Sequence, residues 1–236
     1  MGFRGMKERY AAEALGTFLI VFFGVGAPAI NIISDGQLGA VGISLATGFA
    51  VLIVCYSLGH VSGAHVNPAV TIAFATQKKF PMKYVIPYIL SQVAGAVAAC
   101  MAIYLLFGNI SSFAMGFPVY SWQLVFLIEF LITFTLMFVI MGVATDSRAA
   151  DPAAAGLPIG ATVTLNTLFS FWITGAMMNP ARAIAPAIVL GDFSWQWVYW
   201  PAILLGAIFG AWAYERVRSG EAPKFEEFGV LGPINK

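Results

Sequence analysis

Six apolar stretches, at about 10–33, 40–59, 84–107, 121–144, 155–173 and 195–215, each come close to the roughly 20 residues that a helix needs to cross a bilayer. Two shorter apolar units, at 68–77 and 180–190, each open on Asn-Pro-Ala. With a rise of about 1.5 Å per residue they reach about 15 Å, half of a hydrocarbon core roughly 30 Å thick, so they enter the membrane without crossing it. Hydrocarbon leaves no backbone polar group to water, and the expected fold is therefore an all-α membrane protein with six transmembrane helices and two re-entrant half-helices. Composition excludes a soluble domain: 60% of the residues are hydrophobic and 10% charged, against roughly a quarter charged in soluble chains.

A formal net charge of +1, with no basic or acidic tract, leaves nothing that points to nucleic acid or to polybasic lipid binding. The first apolar stretch follows basic residues as in a signal peptide, but it is too long and carries Glu13, so it reads as a retained span. If the N-terminus is cytoplasmic, 11 of the 12 Lys and Arg fall on inner segments and only Arg182 on an outer one. That asymmetry predicts an even number of spans with both termini inside.

The stretch SGAHVNPAV at 62–70 returns as TGAMMNPAR at 174–182, and Glu13 in AEALGTFLIVF is matched by Glu129 in IEFLITFTLMF. Each Glu precedes its Asn-Pro-Ala by a similar distance. Three spans per half reverse the direction of the second half, which makes an inverted repeat with its site at the midplane. The expected organisation is a cytoplasmic N-terminus at 1–9, a channel domain at 10–218 and a polar cytoplasmic tail at 219–236. Repeat 1 covers about 10–107 and repeat 2 about 121–216.

Asn is a favoured N-cap and Pro a favoured first helical residue, so Asn67-Pro68-Ala69 and Asn179-Pro180-Ala181 each start a helix. The cap uses the side-chain carbonyl and leaves the amide NH₂ free to donate, which neither Asp nor Ser does as well. Two half-helix N-termini meeting at midplane each carry about half a positive charge, which repels cations. The non-helical residues before each Asn supply carbonyl acceptors along the same path. A file of acceptors with two central donors suits an uncharged, hydrogen-bonding molecule.

With these motifs, YSLGHVSGAHVNPAVTIAFA at 56–75 and GAMMNPARAIAPAIV at 175–189, the chain resembles the aquaporins, the major intrinsic protein family, from Glu13 to Glu215. Within it, the motifs are most similar to the nodulin-like intrinsic proteins of plants and their prokaryotic relatives. The resemblance implies the aquaporin fold, a plasma-membrane location, homotetramers with one pore per subunit, and a selectivity filter at Thr47, Thr167, Ala176 and Arg182. It also assigns Gly63, Ala64, His65 and Gly175 to the pore loops. At the first filter place Gly48 and Phe49 are the neighbouring alternatives to Thr47, and Phe49 would narrow the pore. Water-selective relatives carry a bulky aromatic and a His where this chain has Thr47 and Thr167, so the expected ring is wider and lined by hydroxyls.

The expected function is passive passage of small neutral solutes and water: boric, silicic or arsenous acid and glycerol, with protons and ions excluded. A water-selective channel and an ion-coupled transporter are the alternatives. Glu13 and Glu129 read either as a proton relay or as acceptors that shape the loop of their own half. By the resemblance His65 lines or braces the pore, the alternative being a purely structural histidine. His60 reads as a loop residue near the cytoplasmic mouth, and two histidines five apart with no third ligand nearby make no metal site. Cys55 and Cys100 read as small packing residues, and Trp195, Trp197, Tyr199 and Trp200 as an interfacial aromatic belt. The glycine pairs Gly156/Gly160 and Gly206/Gly210 permit close helix crossings, internal or between subunits. No cofactor is expected, and no nucleophile, base and orienting group stand at catalytic spacing.

Overall fold

The computed structural model describes residues 5–109, 120–146 and 155–218; the expected tail at 219–236 lies outside them. Regular structure among the described residues is helical throughout. Six helices are long and apolar enough to span: α1 (Met6–Ile33), α2 (Gly39–Ser62), α4 (Val85–Phe107, preceded by the 3₁₀ turn Met82–Tyr84), α5 (Trp122–Thr145), α6 (Gly156–Thr174) and α8 (Gln196–Val217). Between them lie the half-helices α3 (Pro68–Thr76) and α7 (Pro180–Leu190). Each boundary falls within a few residues of the apolar stretch that predicts it. His60 is helical, in the last turn of α2, rather than in a loop.

Small residues set how closely the helices cross. A Cβ on Gly48 would come within 2.5 Å of the Gly160 carbonyl oxygen, and one on Gly160 within 2.7 Å of the Gly48 carbonyl oxygen, so α2 and α6 meet backbone to backbone. This reciprocal contact lies on the pseudo-twofold axis that relates the halves. Each half repeats a second crossing: Gly95 of α4 lies against the Ala14 carbonyl of α1, and Gly206 of α8 against the Phe130 carbonyl of α5. Gly210 and Gly156 are likewise filled from within the chain, by Phe134 and by Tyr56. Both glycine pairs thus serve internal packing, where small residues let dispersion contacts accumulate without a hydrophobic driving force.

Large apolar side chains such as Leu105, Leu165 and Phe169 are exposed on the outer surface, as a lipid-facing surface requires. On the side where α1 begins and α8 ends, Lys79 Nζ lies 3.1 Å from Glu215 Oε1, and Tyr214 donates to Asp146 Oδ2 at 2.8 Å.

Candidate functional site

The two half-helices start as their Asn-Pro-Ala sequences dictate. Asn67 and Asn179 are extended N-caps, and each side-chain Oδ1 accepts from the backbone N–H two residues on, Ala69 or Ala181, at 2.9 Å. The amide nitrogens are not wholly free. Asn67 Nδ2 donates to the Met178 carbonyl at 2.9 Å, and Asn179 Nδ2 donates to the Val66 carbonyl at 2.8 Å. Each Asn therefore pins the loop of the opposite half, and one N–H per amide remains for a solute.

Both loops run through left-handed backbone. Gly63 and Gly175 end α2 and α6 at φ of 88° and 79°, a conformation glycine adopts without strain. Ala64, Val66, Ala176 and Met178 also lie at positive φ, between 43° and 52°. Such residues cost about 1–3 kcal/mol each and persist only where their surroundings over-determine them.

The surroundings are two buried carboxyl groups. Glu13 Oε1 accepts from the Ser62 hydroxyl at 2.6 Å and the His65 N–H at 3.0 Å, and Oε2 from the Val66 N–H and Gln92 Nε2, both at 2.7 Å. Glu129 accepts from the Met177 and Met178 N–H groups, both at 2.9 Å. The two acids thus do the same work in the two halves, and both are fully buried.

A second symmetric pair escaped sequence reasoning. Tyr88 of α4 donates to the Ser62 carbonyl at 2.9 Å, and Tyr199 of α8 donates to the Thr174 carbonyl at 2.8 Å. Each fixes the last residue of the helix that leads into a pore loop. Tyr199 is buried, which removes it from the expected interfacial belt; Trp197 of that cluster is exposed and packs on Trp122. The near-equal offset of each tyrosine from its Asn was the available signal. Gln92 was also missed: buried on α4, it bridges Glu13 and Thr71, and no counterpart exists because Ile203 holds the matching place in α8. His65 both lines and braces, with Nδ1 3.2 Å from Thr71 Oγ1 and its ring packed on Phe74, Phe80 and Tyr88.

Between the half-helices lies a cavity of about 130 Å³. Both Asn side chains, Thr47, Ala176 and Arg182 face it, as do the pore-loop residues Gly63, Ala64 and His65. Phe49 points away, 53% exposed, and Gly48 is taken up in the α2–α6 crossing, so of the three neighbours Thr47 faces the path. Gly175 does not line the cavity; its carbonyl and that of Ala176 accept from Arg182 Nη1, both at 2.7 Å. Arg182 Nη2 reaches the Gly24 carbonyl at 3.4 Å, and its Nε has no partner. Thr167 is fully buried, outside the cavity lining, and its hydroxyl has no hydrogen-bond partner. Cys55, expected as packing, lines the cavity, whereas Cys100 is buried in the core of the first half. Among the described residues no three His, Cys, Asp or Glu side chains gather as metal ligands would.

Two half-helices capped at a shared centre, each tied to the other's loop around a cavity that contains a fixed guanidinium, define a membrane channel built for neutral molecules rather than an enzyme. The sequence profile of the major intrinsic protein family matches residues 4–214. Aquaporin NIP1-3 of Oryza sativa subsp. japonica is 48% identical over 230 residues, covering 92% of this chain and 76% of the relative. Nodulin-26 of Glycine max is 41% identical over 220 residues, with 93% and 81% covered. In three dimensions the fold is similar to the X-ray structure of the aquaglyceroporin from Plasmodium falciparum, with a TM-score of 0.79 at 25% identity over 90% of this chain and 97% of that one. The chain belongs to the major intrinsic protein family, and it is a multi-pass membrane channel for water and small neutral solutes.

Proposed function

We propose that this channel passes boric, silicic and arsenous acids and glycerol together with water, and excludes protons and ions. The observation that carries the reading is the absence of a bulky side chain at two of the four filter positions. Thr47 lines the cavity and Phe49 turns outward, while Thr167, fully buried and outside the cavity lining, adds no bulk to it. Arg182, which lines the same cavity as Thr47, holds a fixed positive charge, its Nη1 donating to two loop carbonyls. The guanidinium and the two helix N-termini raise the energy of any cation on the axis, whereas a neutral polyhydroxy solute replaces its lost water with donors and acceptors. Kinship with the nodulin-like relatives weights the solutes toward the metalloid hydroxides.

On this reading Asn67 and Asn179 give one N–H each to the passing solute, and Glu13 and Glu129 shape the loops rather than relay protons. Both termini face the cytoplasm of a plasma-membrane protein, which the distribution of Lys and Arg supports. Four subunits assemble, each with its own pore. The test is the paired filter variant Thr47→Phe with Thr167→His in proteoliposomes. Loss of glycerol and boric acid uptake with water permeability retained supports the reading. Unchanged solute uptake in the folded variant overturns it.

A further inference from the structure

The pseudo-twofold axis carries the filter positions onto a second set of residues, and the structure fixes the register of that operation. Gly48 and Gly160 contact each other reciprocally, and Asn67 and Asn179 each donate to the other's loop. Both pairs are separated by the same 112 positions. The same offset takes Thr47 to Ile159, Thr167 to Cys55, Ala176 to Ala64 and Arg182 to Val70. All four of these mates line the cavity, on the side of the Asn pair where α1 begins.

The two sets have opposite chemistry. Of the filter set, the residues that line the cavity bring a guanidinium, one hydroxyl and a methyl, whereas the mirror set brings a thiol, a methyl and two branched alkyl groups. We propose that Cys55, Ala64, Val70 and Ile159 form a second selection ring, an apolar constriction through which a solute passes without side-chain hydrogen bonds. The four positions are chosen through the filter assignment above, and to that extent the proposal rests on it.

A polar group moved from water to a place that offers no partner loses hydrogen-bond free energy, and an ion loses far more. Narrow apolar rings in channels act as barriers in this way, by disfavouring water. A solute that carries an apolar face beside its hydroxyls, as glycerol does with its carbon chain, crosses such a ring at lower cost than a fully hydrated species of the same size. The filter thus reads width and hydrogen-bonding pattern, and the inner ring reads how much hydration must be shed. Arg182 cannot be matched by a cation in the inner half, because Val70 stands in its place. The nearest cation on that side lining the cavity, Lys79, is paired with Glu215.

The test adds hydroxyls to the ring at little change of size. Cys55→Ser, Val70→Thr and Ile159→Thr are reconstituted in proteoliposomes, with Ile159→Val as the control for lost volume and Thr167→His as the control at the outer filter. Water and glycerol permeabilities per channel are read by stopped-flow light scattering, and melting temperature confirms folding. One hydrogen bond regained at a barrier speeds passage about threefold to tenfold. Glycerol flux rising by that factor in Val70→Thr and Ile159→Thr, and not in Ile159→Val, supports the ring. Folded Thr variants that conduct glycerol no faster than wild type overturn it. If Thr167→His leaves glycerol flux intact while the ring variants raise it, the filter assignment fails and the ring stands. If Thr167→His abolishes flux while the ring variants are silent, the ring fails and the filter stands.

Discussion

Replacing Glu13 by Gln separates a loop scaffold from a proton relay. The carboxyl group accepts four hydrogen bonds, two on each oxygen. A glutamine presents one oxygen and one NH₂. If the NH₂ takes the Oε2 place, it faces the Val66 N–H and the Gln92 amide. The better orientation puts it at the Oε1 place, where the Ser62 hydroxyl can turn to accept and only the His65 N–H is left without a partner. A buried donor left unsatisfied costs about 1–3 kcal/mol, and the lost bond itself adds about 1 kcal/mol, so the variant should be destabilised by ~2–4 kcal/mol. For a chain of this length each 1 kcal/mol lowers the melting temperature by about 2–4 °C, which predicts a drop of roughly 4–16 °C. Thermal unfolding of the purified protein, followed by intrinsic fluorescence, measures the drop. Glycerol flux through the folded remainder should show no dependence on pH. A melting temperature within about 2 °C of wild type, together with a pH dependence of wild-type flux that the variant loses, would refute the scaffold role.

Three further outcomes follow from the same geometry. Tyr88→Phe and Tyr199→Phe each remove a buried hydroxyl that holds the end of a pore-bearing helix. Each should be destabilised by about 1–3 kcal/mol in the same melting assay, with the two halves affected alike. Gly48→Ala forces a methyl against the Gly160 carbonyl at the central crossing; overpacking of this kind costs about 1–3 kcal/mol or more, and should lower the yield of folded protein on size exclusion. Arg182→Val gives the filter position the residue of its inner mate and removes the fixed cation, so cation leak measured in planar bilayers should rise from near zero while glycerol flux persists.

The sequence laid out the spans because length alone identifies them, and the half-helices because Asn-Pro-Ala is a cap with a mechanism. The paired acids were legible from the repeat. What escaped was the direction in which side chains face. In a soluble helix the apolar stripe points inward, but here lipid and protein interior are both apolar, so Cys55 on the pore wall and Phe49 on the surface look alike in sequence. Tyr199 was misread for the same reason, since it stands among Trp195, Trp197 and Trp200 and only its partner Tyr88 in the other half reveals its role. The asymmetry at Gln92 was invisible because it has no mate, and the bond from each Asn amide to the opposite loop depends on a long-range approach that spacing does not encode.

The most direct test of a wide, passive, neutral-solute pore is vesicle volume after a concentration jump, followed in parallel for boric acid, glycerol and an impermeant sugar. A cavity lined by Thr47 and Arg182, with no bulky side chain at position 47 or 167, predicts shrinkage followed by fast reswelling in the first two and shrinkage alone in the third. Fast shrinkage without reswelling in all three would contradict it and mark the protein as a water channel.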